Sequence, residues 1–403
     1  MDGLSAAVLA AAPSAAGVVD NTKPRLDTDG NIVDAHGGQL SYFCDDPTRV
    51  DPSCAGKYWL IGTAYNTGYA HPGTDAPTNG SCVPKPGKQC DSSYFHCGYR
   101  DHDYTAYSAP SPAGPWTLEA SSLMVARGSR PHCVYWRPKI LFNDRDKRYV
   151  LWYECADPNG QNSTEKTVFG VAATAASTPA RPASPAGPYA VVSHNVSSLL
   201  YGNGVGDSSL FKDRDGTAYI IYTTVDKRAR KFFPMSIERL TPSYTASTGN
   251  SSGKVFGAGH ESPALIYDSV TDEYVASVSQ LCCFCPAGGG LTVYRSSISP
   301  LEGWKQAEQI NSCGGGGGGE PVPKVSKGHC VGAQQAYIAQ LPIGRGGRSE
   351  LIWMGDRWQS AWDGTKGHDF QHWEPVVREA NGSFAPLRNL SHWSVKLLDE
   401  AKV

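Results

Sequence analysis

The sequence has 403 residues, with 36 lysines and arginines against 38 aspartates and glutamates, a formal net charge of −2, and only 18% of its residues charged. That balance excludes the basic stripe of a nucleic-acid binder and the polybasic run that seeks anionic membranes. No stretch approaches the roughly 18 apolar residues needed to span a bilayer. With 44 glycines, 28 prolines and 10% aromatics, the chain reads as all-β, many short strands joined by tight turns.

Residues 1–30 read as a leader or disordered segment, and 31–403 as one domain. The opening MDGLSAAVLAAAPSAAG has a short apolar run and small residues suited to cleavage, but no positive n-region. Eight of the 12 cysteines cluster, at Cys44 and Cys54, at Cys82, Cys90 and Cys97, and at Cys282, Cys283 and Cys285. No paired CxxC motifs at zinc-finger spacing occur, so structural disulfides are expected and no metal or other cofactor. Six glycosylation sequons begin at Asn79, Asn162, Asn195, Asn250, Asn381 and Asn389. Together they imply an oxidising, secretory environment and a secreted glycoprotein; a monomer is expected.

In chain order, one strand–turn–strand design recurs five times. Gly37 to Tyr65 carries GGQLSYF, a cysteine-containing insertion and KYWLIGTAY. Trp136 to Tyr153 reads WRPKILFNDRDKRYVLWY, Asp207 to Thr223 reads DSSLFKDRDGTAYIIYT, and Glu261 to Ser279 reads ESPALIYDSVTDEYVASVS. Gln334 to Trp358 carries QQAYIAQL, a Gly/Arg turn and ELIWMGDRW. After several copies comes a further strand-like run and then SPAGPW (from Ser111), SPAGPY (from Ser184) or SPLEGW (from Ser299). A repeated unit of about four strands is one propeller blade, so a five-bladed β-propeller is expected. A β-sandwich also has short strands but would not repeat this unit. The run Gly314 to Gly319 lacks a following Lys-Ser/Thr and reads as an inter-blade loop, not a phosphate cradle.

The first residues of each innermost strand face the pocket mouth of a propeller. There the repeats place His36, Arg137, Asp207, Glu261 and Gln334 on positions taken to be equivalent, in strands otherwise filled by Leu, Ile, Val and Phe. Singly, each reads as a solvated cap; five converging on one axis read as a site. Two carboxylates from different blades suit glycoside hydrolysis, in which one must stay protonated to donate to the leaving oxygen.

The motifs AHGGQL (from Ala35), RPKILFN (from Arg137), GDSSLFKDRDG (from Gly206), ESPALIY (from Glu261) and WMGDRW (from Trp353) resemble glycoside hydrolase family 43, on the exo-β-1,3-galactanase branch, over residues 28 to 390. The resemblance implies an exo-acting, inverting enzyme that releases terminal galactose or a related sugar from a galactan-type glycan. Glu261 would be the general acid and Asp207 the carboxylate that raises its pKa. His36 stands where most of the family has an aspartate base, and Gln334, or Gln335 one register on, would hold the attacking water. Arg137 and His36 are further sugar contacts, Trp358 a stacking surface or a core residue, and Phe284 a rim residue of the leaving-group side. Thr63 and Trp136 replace two glutamates of the branch, which opens arabinofuranose and galactofuranose as alternative sugars. A propeller that binds a glycan without cleaving it is the reading from another class.

Overall fold

The computed structural model describes residues 17–47, 54–65, 103–124, 133–156, 167–197, 199–200, 205–226, 231–256, 259–280, 288–313, 330–342, 349–363 and 365–395. Their regular structure is β-strand apart from one 3-10 turn, Lys366–His368. Five antiparallel sheets form the blades. Blade 1 is β2 (His36–Cys44), β3 (Gly56–Ala64), β4 (Asp103–Ala109) and β5 (Thr117–Ala120). Blade 2 is β6 (Val134–Asn143), β7 (Arg148–Ala156), β8 (Val168–Ala173) and β9 (Ala190–Ser193). Blade 3 is β10 (Val205–Lys212), β11 (Ala218–Asp226), β12 (Lys231–Leu240) and β13 (Ser247–Ser251). Blade 4 is β14 (His260–Asp268), β15 (Glu273–Gln280), β16 (Leu291–Ser296) and β17 (Lys305–Asn311).

Blade 5 departs from the expected four strands. It holds three, β18 (Gln334–Pro342), β19 (Ser349–Arg357) and β20 (Phe370–Pro375). The two ends of the described chain, β1 (Val18–Asp20) and β21 (His392–Ser394), pair with each other beside it. Asn21 ties this pair to blade 5: its amide donates to Trp373 O at 2.8 Å, and its carbonyl accepts from Trp373 N at 3.0 Å.

The innermost strands β2, β6, β10, β14 and β18 pack each against the next, and β18 returns to β2, closing the ring. The sequence pattern follows from that closure. Both faces of a middle blade are covered, so its strands are apolar throughout instead of alternating with polar residues. On β7, Val150 and Trp152 face blade 3 while Leu151 and Tyr153 face blade 1. Five apolar clusters result, one in each gap between neighbouring blades. Three hairpin turns between first and second strands need a left-handed residue, supplied by Lys147, Gly216 and Asp272.

The expected disulfides are present among the described residues: Cys44–Cys54, Cys133–Cys155 and Cys313–Cys330. The other six cysteines lie outside them. Asn195, Asn250, Asn381 and Asn389 are exposed. Among the described residues, no helix is long and apolar enough to cross a membrane.

Candidate active site

One structural device shapes the mouth end of the channel. Every innermost strand is bulged near its start: between His36 and Gln39, Trp136 and Lys139, Val205 and Ser208, Glu261 and Ala264, and Gln335 and Tyr337. A bulge inserts one residue, bends the strand and re-aims its side chains. The sequence permits it through Gly, Ser-Pro and Arg-Pro at these points. Gly37, Arg137 and Ser262 all take left-handed backbone conformations there, with φ of 59°, 48° and 50°.

The bulge register corrects the alignment expected from the repeats. His36, Glu261 and Gln334 are equivalent, but their counterpart in blade 2 is Trp136, opposite Glu154. Arg137 sits one residue further on and Asp207 two. These offsets give the five side chains different tasks.

Arg137 is the hub. Nη2 donates to Asp207 Oδ2 at 2.7 Å and to Ser262 Oγ at 2.7 Å, while Nη1 donates to Gln335 O at 3.0 Å. Ser262 Oγ in turn donates to Asp207 Oδ2 at 2.6 Å. This side chain from blade 2 thus bonds to blades 3, 4 and 5, and it fills the space beside Gly37 of blade 1, where a Cβ would stand 3.2 Å from Arg137 Cδ. Burial alone would depress its pKa, but Asp207, Glu154, Asp356 and Glu261 outweigh that and hold the guanidinium above its ordinary value. The hydrogen bonds described for Arg137 go to protein groups on blades 3, 4 and 5.

Glu261 is 2% exposed and accepts from Gln334 Nε2 at 2.6 Å, and Gln334 Oε1 accepts from the indole of Trp358 at 2.7 Å. Gln334 and Gln335, adjacent on a strand, point to opposite faces. Gln335 is buried between blades 4 and 5. Its Nε2 donates to Ser262 O and Ser277 O, and its Oε1 accepts from Ser277 Oγ and Trp353 Nε1. Its amide is spent on the fold, so of the two glutamines Gln334 is the one at the carboxylate.

His36 is also tied into the protein. It is fully buried, with Nδ1 3.0 Å from Asp356 Oδ1 and Nε2 3.3 Å from Gly367 O and 3.6 Å from Asp34 Oδ1. Burial disfavours its charge, yet Asp356 and Asp34 prevail and raise its pKa to about 9. It is a buried imidazole that joins blade 1 to blade 5. Trp358, also buried, packs on His36 (centroids 5.4 Å) and edge-on to Tyr65 (5.8 Å), with Lys366 Nζ 5.2 Å from its ring. These contacts are the packing expected of it, and its indole N–H holds Gln334. Phe284 lies outside the described residues.

Two charged residues escaped the sequence reading. Glu154 on β7 is 1% exposed and accepts from Ser208 Oγ at 3.4 Å. Burial and then the charge of Asp207 push its carboxyl up to about 8. Lys139 donates to Gly37 O at 2.8 Å, and burial and then Arg137 bring it down to about 7. The available signal was a charged residue inside an otherwise apolar run, YVLWYEC and RPKILF. Among the described residues no three His, Cys, Asp or Glu form a metal-holding group.

No family model matches the sequence, and no curated protein does. Solved structures do match the fold. A GH43 β-1,3-galactosidase superposes with a TM-score of 0.65 at 17% identity, covering 96% of this chain and 65% of that one. The exo-β-1,3-galactanase of Phanerochaete chrysosporium, solved with β-1,3-galactotriose, gives 0.61 at 19% identity, with coverage of 94% and 68%. An exo-β-1,3-galactanase from Clostridium thermocellum gives 0.62 at 17% identity, with 92% and 65%. The chain therefore spans about two thirds of the length of these structures and shares the five-bladed architecture of GH43 glycosidases.

Proposed function

We propose that the protein is an exo-acting glycosidase of the GH43 type that releases terminal galactose from a β-1,3-linked galactan. The observation that carries this reading is that Asp207 of blade 3 is held by Arg137 and by Ser262, the residue next to Glu261 on blade 4, which sets both carboxyl-bearing strands at one end of the channel. Likeness to β-1,3-galactosidases in fold supports it. Glu261 donates its proton to the glycosidic oxygen as the bond breaks. Asp207, fixed by Arg137 and Ser262, supplies fixed negative charge for the oxocarbenium-like transition state. Inversion needs a water held on the far side of the sugar, with room of roughly 6.5–9.5 Å between the groups involved. Gln334 lies too close to Glu261 to trap that water between them, so in the resting state it orients the acid. For Gln334 to hold the attacking water, its side chain must part from Glu261 once sugar enters, freeing an amide hydrogen and a carbonyl lone pair for it. Disulfides and exposed sequons fit a secreted enzyme.

Glu261→Gln is expected to lower turnover on polymer by about 10²–10⁴-fold while leaving the thermal midpoint near that of the parent. Unchanged polymer turnover would remove Glu261 from the acid role. Arabinofuranosides and galactofuranosides belong in the same substrate panel, because Thr63 and Trp136 stand at the site where the branch carries glutamates.

A non-catalytic sugar binder is the second reading. It is favoured by the absence of a carboxylate from the first blade's pocket position, since Asp34 is buried behind His36. Calorimetric binding of β-1,3-galactooligosaccharides without product at any pH distinguishes it.

A further inference from the structure

The second strand of each blade runs back towards the mouth, since Thr63, Glu154 and Asp356 pair with, or lie opposite, the site residues at the start of the first strand. The loop from second to third strand therefore lies on the mouth face. In blade 5 that loop runs from Trp358 to Asp369 and is fixed by one buried side chain. Asp369 accepts from the backbone N–H groups of Gln359 (3.0 Å), Ser360 (2.8 Å) and Ala361 (2.9 Å). At its root Trp358 holds Gln334. Four residues on, Trp362 is 68% exposed, which is unusual for the largest apolar side chain on a rigid loop. Its ring lies parallel to that of His368, with centroids 5.9 Å apart and planes at 17°, and His368 Nδ1 is in turn 2.6 Å from Asp363 Oδ2. The indole thus lies alongside the His368 ring, and most of its surface is presented to solvent.

We propose that Trp362 is a carbohydrate-stacking platform at the rim, which takes a pyranose ring on the leaving-group side of the scissile bond. The inference rests on the exo-glycosidase reading. Only the terminal sugar reaches Glu261, so a rim surface on this face meets the sugars that follow it. The C–H face of a pyranose is apolar and flat and matches an indole, while its hydroxyls stay in water. An indole already packed beside His368, itself held by Asp363, loses less rotamer freedom on binding than a free one. Covering about 55 Å² of apolar surface contributes roughly 1.4 kcal/mol, a tenfold effect.

The test compares the full chain with Trp362→Ala and Trp362→Phe on β-1,3-galactotriose and on an aryl β-galactoside. Binding of the triose is also measured by calorimetry in the Glu261→Gln background. For Trp362→Ala the ratio of triose to aryl kcat/KM is expected to fall about tenfold, with triose binding weakened by a similar factor; Trp362→Phe should recover most of both. An unchanged ratio and unchanged binding, in a parent chain that does release galactose, overturn the platform alone. Trp362-dependent binding without cleavage upholds the platform and overturns hydrolysis. A parent chain that neither cleaves nor binds the triose overturns both.

Discussion

Glu154 is a carboxyl group sealed against Asp207, and its surroundings dictate its charge. Burial first, then Asp207, push it up to about 8 against the opposing pull of Arg137 and Lys139. The folded chain therefore binds this proton more tightly than the unfolded chain. The stability contribution is complete below the ordinary value of 4.5 and is lost as pH rises through about 8. Glu154→Gln keeps the shape and removes the titration. Its thermal midpoint should match the parent near pH 5 and exceed it by about two degrees or more at pH 9. A difference that stays constant from pH 5 to pH 9 would mean that Glu154 carries no such proton. Arg137 makes the complementary point at the same scale. One guanidinium faces four acidic side chains, and breaking its buried pair with Asp207 by removing one partner costs about 3–5 kcal/mol because the other charge is left uncompensated.

At the scale of elements, the bulge at the head of each inner strand decides where the chemistry goes. In blade 1 it is made by Gly37 and Gly38, and a Cβ on Gly38 would stand only 1.8 Å from Ile61 O. Backbone cannot yield there, so Gly38→Ala should cost at least about 3 kcal/mol. Gly216 has φ of 82° but open space around it, so Gly216→Ala should cost only about 1 kcal/mol of backbone strain. Chemical denaturation of the two variants checks the contrast; equal losses would mean that the bulge tolerates a side chain. The hairpins themselves were legible, because an Asp-rich turn between two apolar runs has a local cause. The bulge was not, since an extra residue is defined only against the strand opposite. For that reason the repeats placed Glu261, Asp207 and Gln334 near one another, yet set Arg137 and Asp207 in the wrong register. The same gap left the choice between Gln334 and Gln335 open. Glu154 and Lys139 stayed hidden because nothing local marks a buried charge as paired.

At the scale of the whole molecule, a propeller is a ring that must be shut, and blade 5 meets blade 1 with one strand fewer than the others. The seam is made by the β1–β21 pair, by Asn21, and by His36 between Asp356 and Asp34. Burial lowers the charge preference of His36, but hydrogen bonding and attraction to Asp356, with Asp34 behind, raise its pKa to about 9. A raised folded value means that the stabilisation is whole below the ordinary value of 6.5 and disappears as pH climbs through about 9. Asp34 shifts in the same sense, pushed up by burial to about 7, so its contribution also declines on the alkaline side of its ordinary range. The seam should therefore loosen in mild alkali while the apolar gaps between the other blades hold. The thermal midpoint of the parent chain should fall between pH 6.5 and 9.5. In His36→Asn it should start lower at pH 6 and fall less across that interval. Parallel profiles for the two chains would mean that the ring is closed by the β1–β21 pair and apolar packing, without the imidazolium.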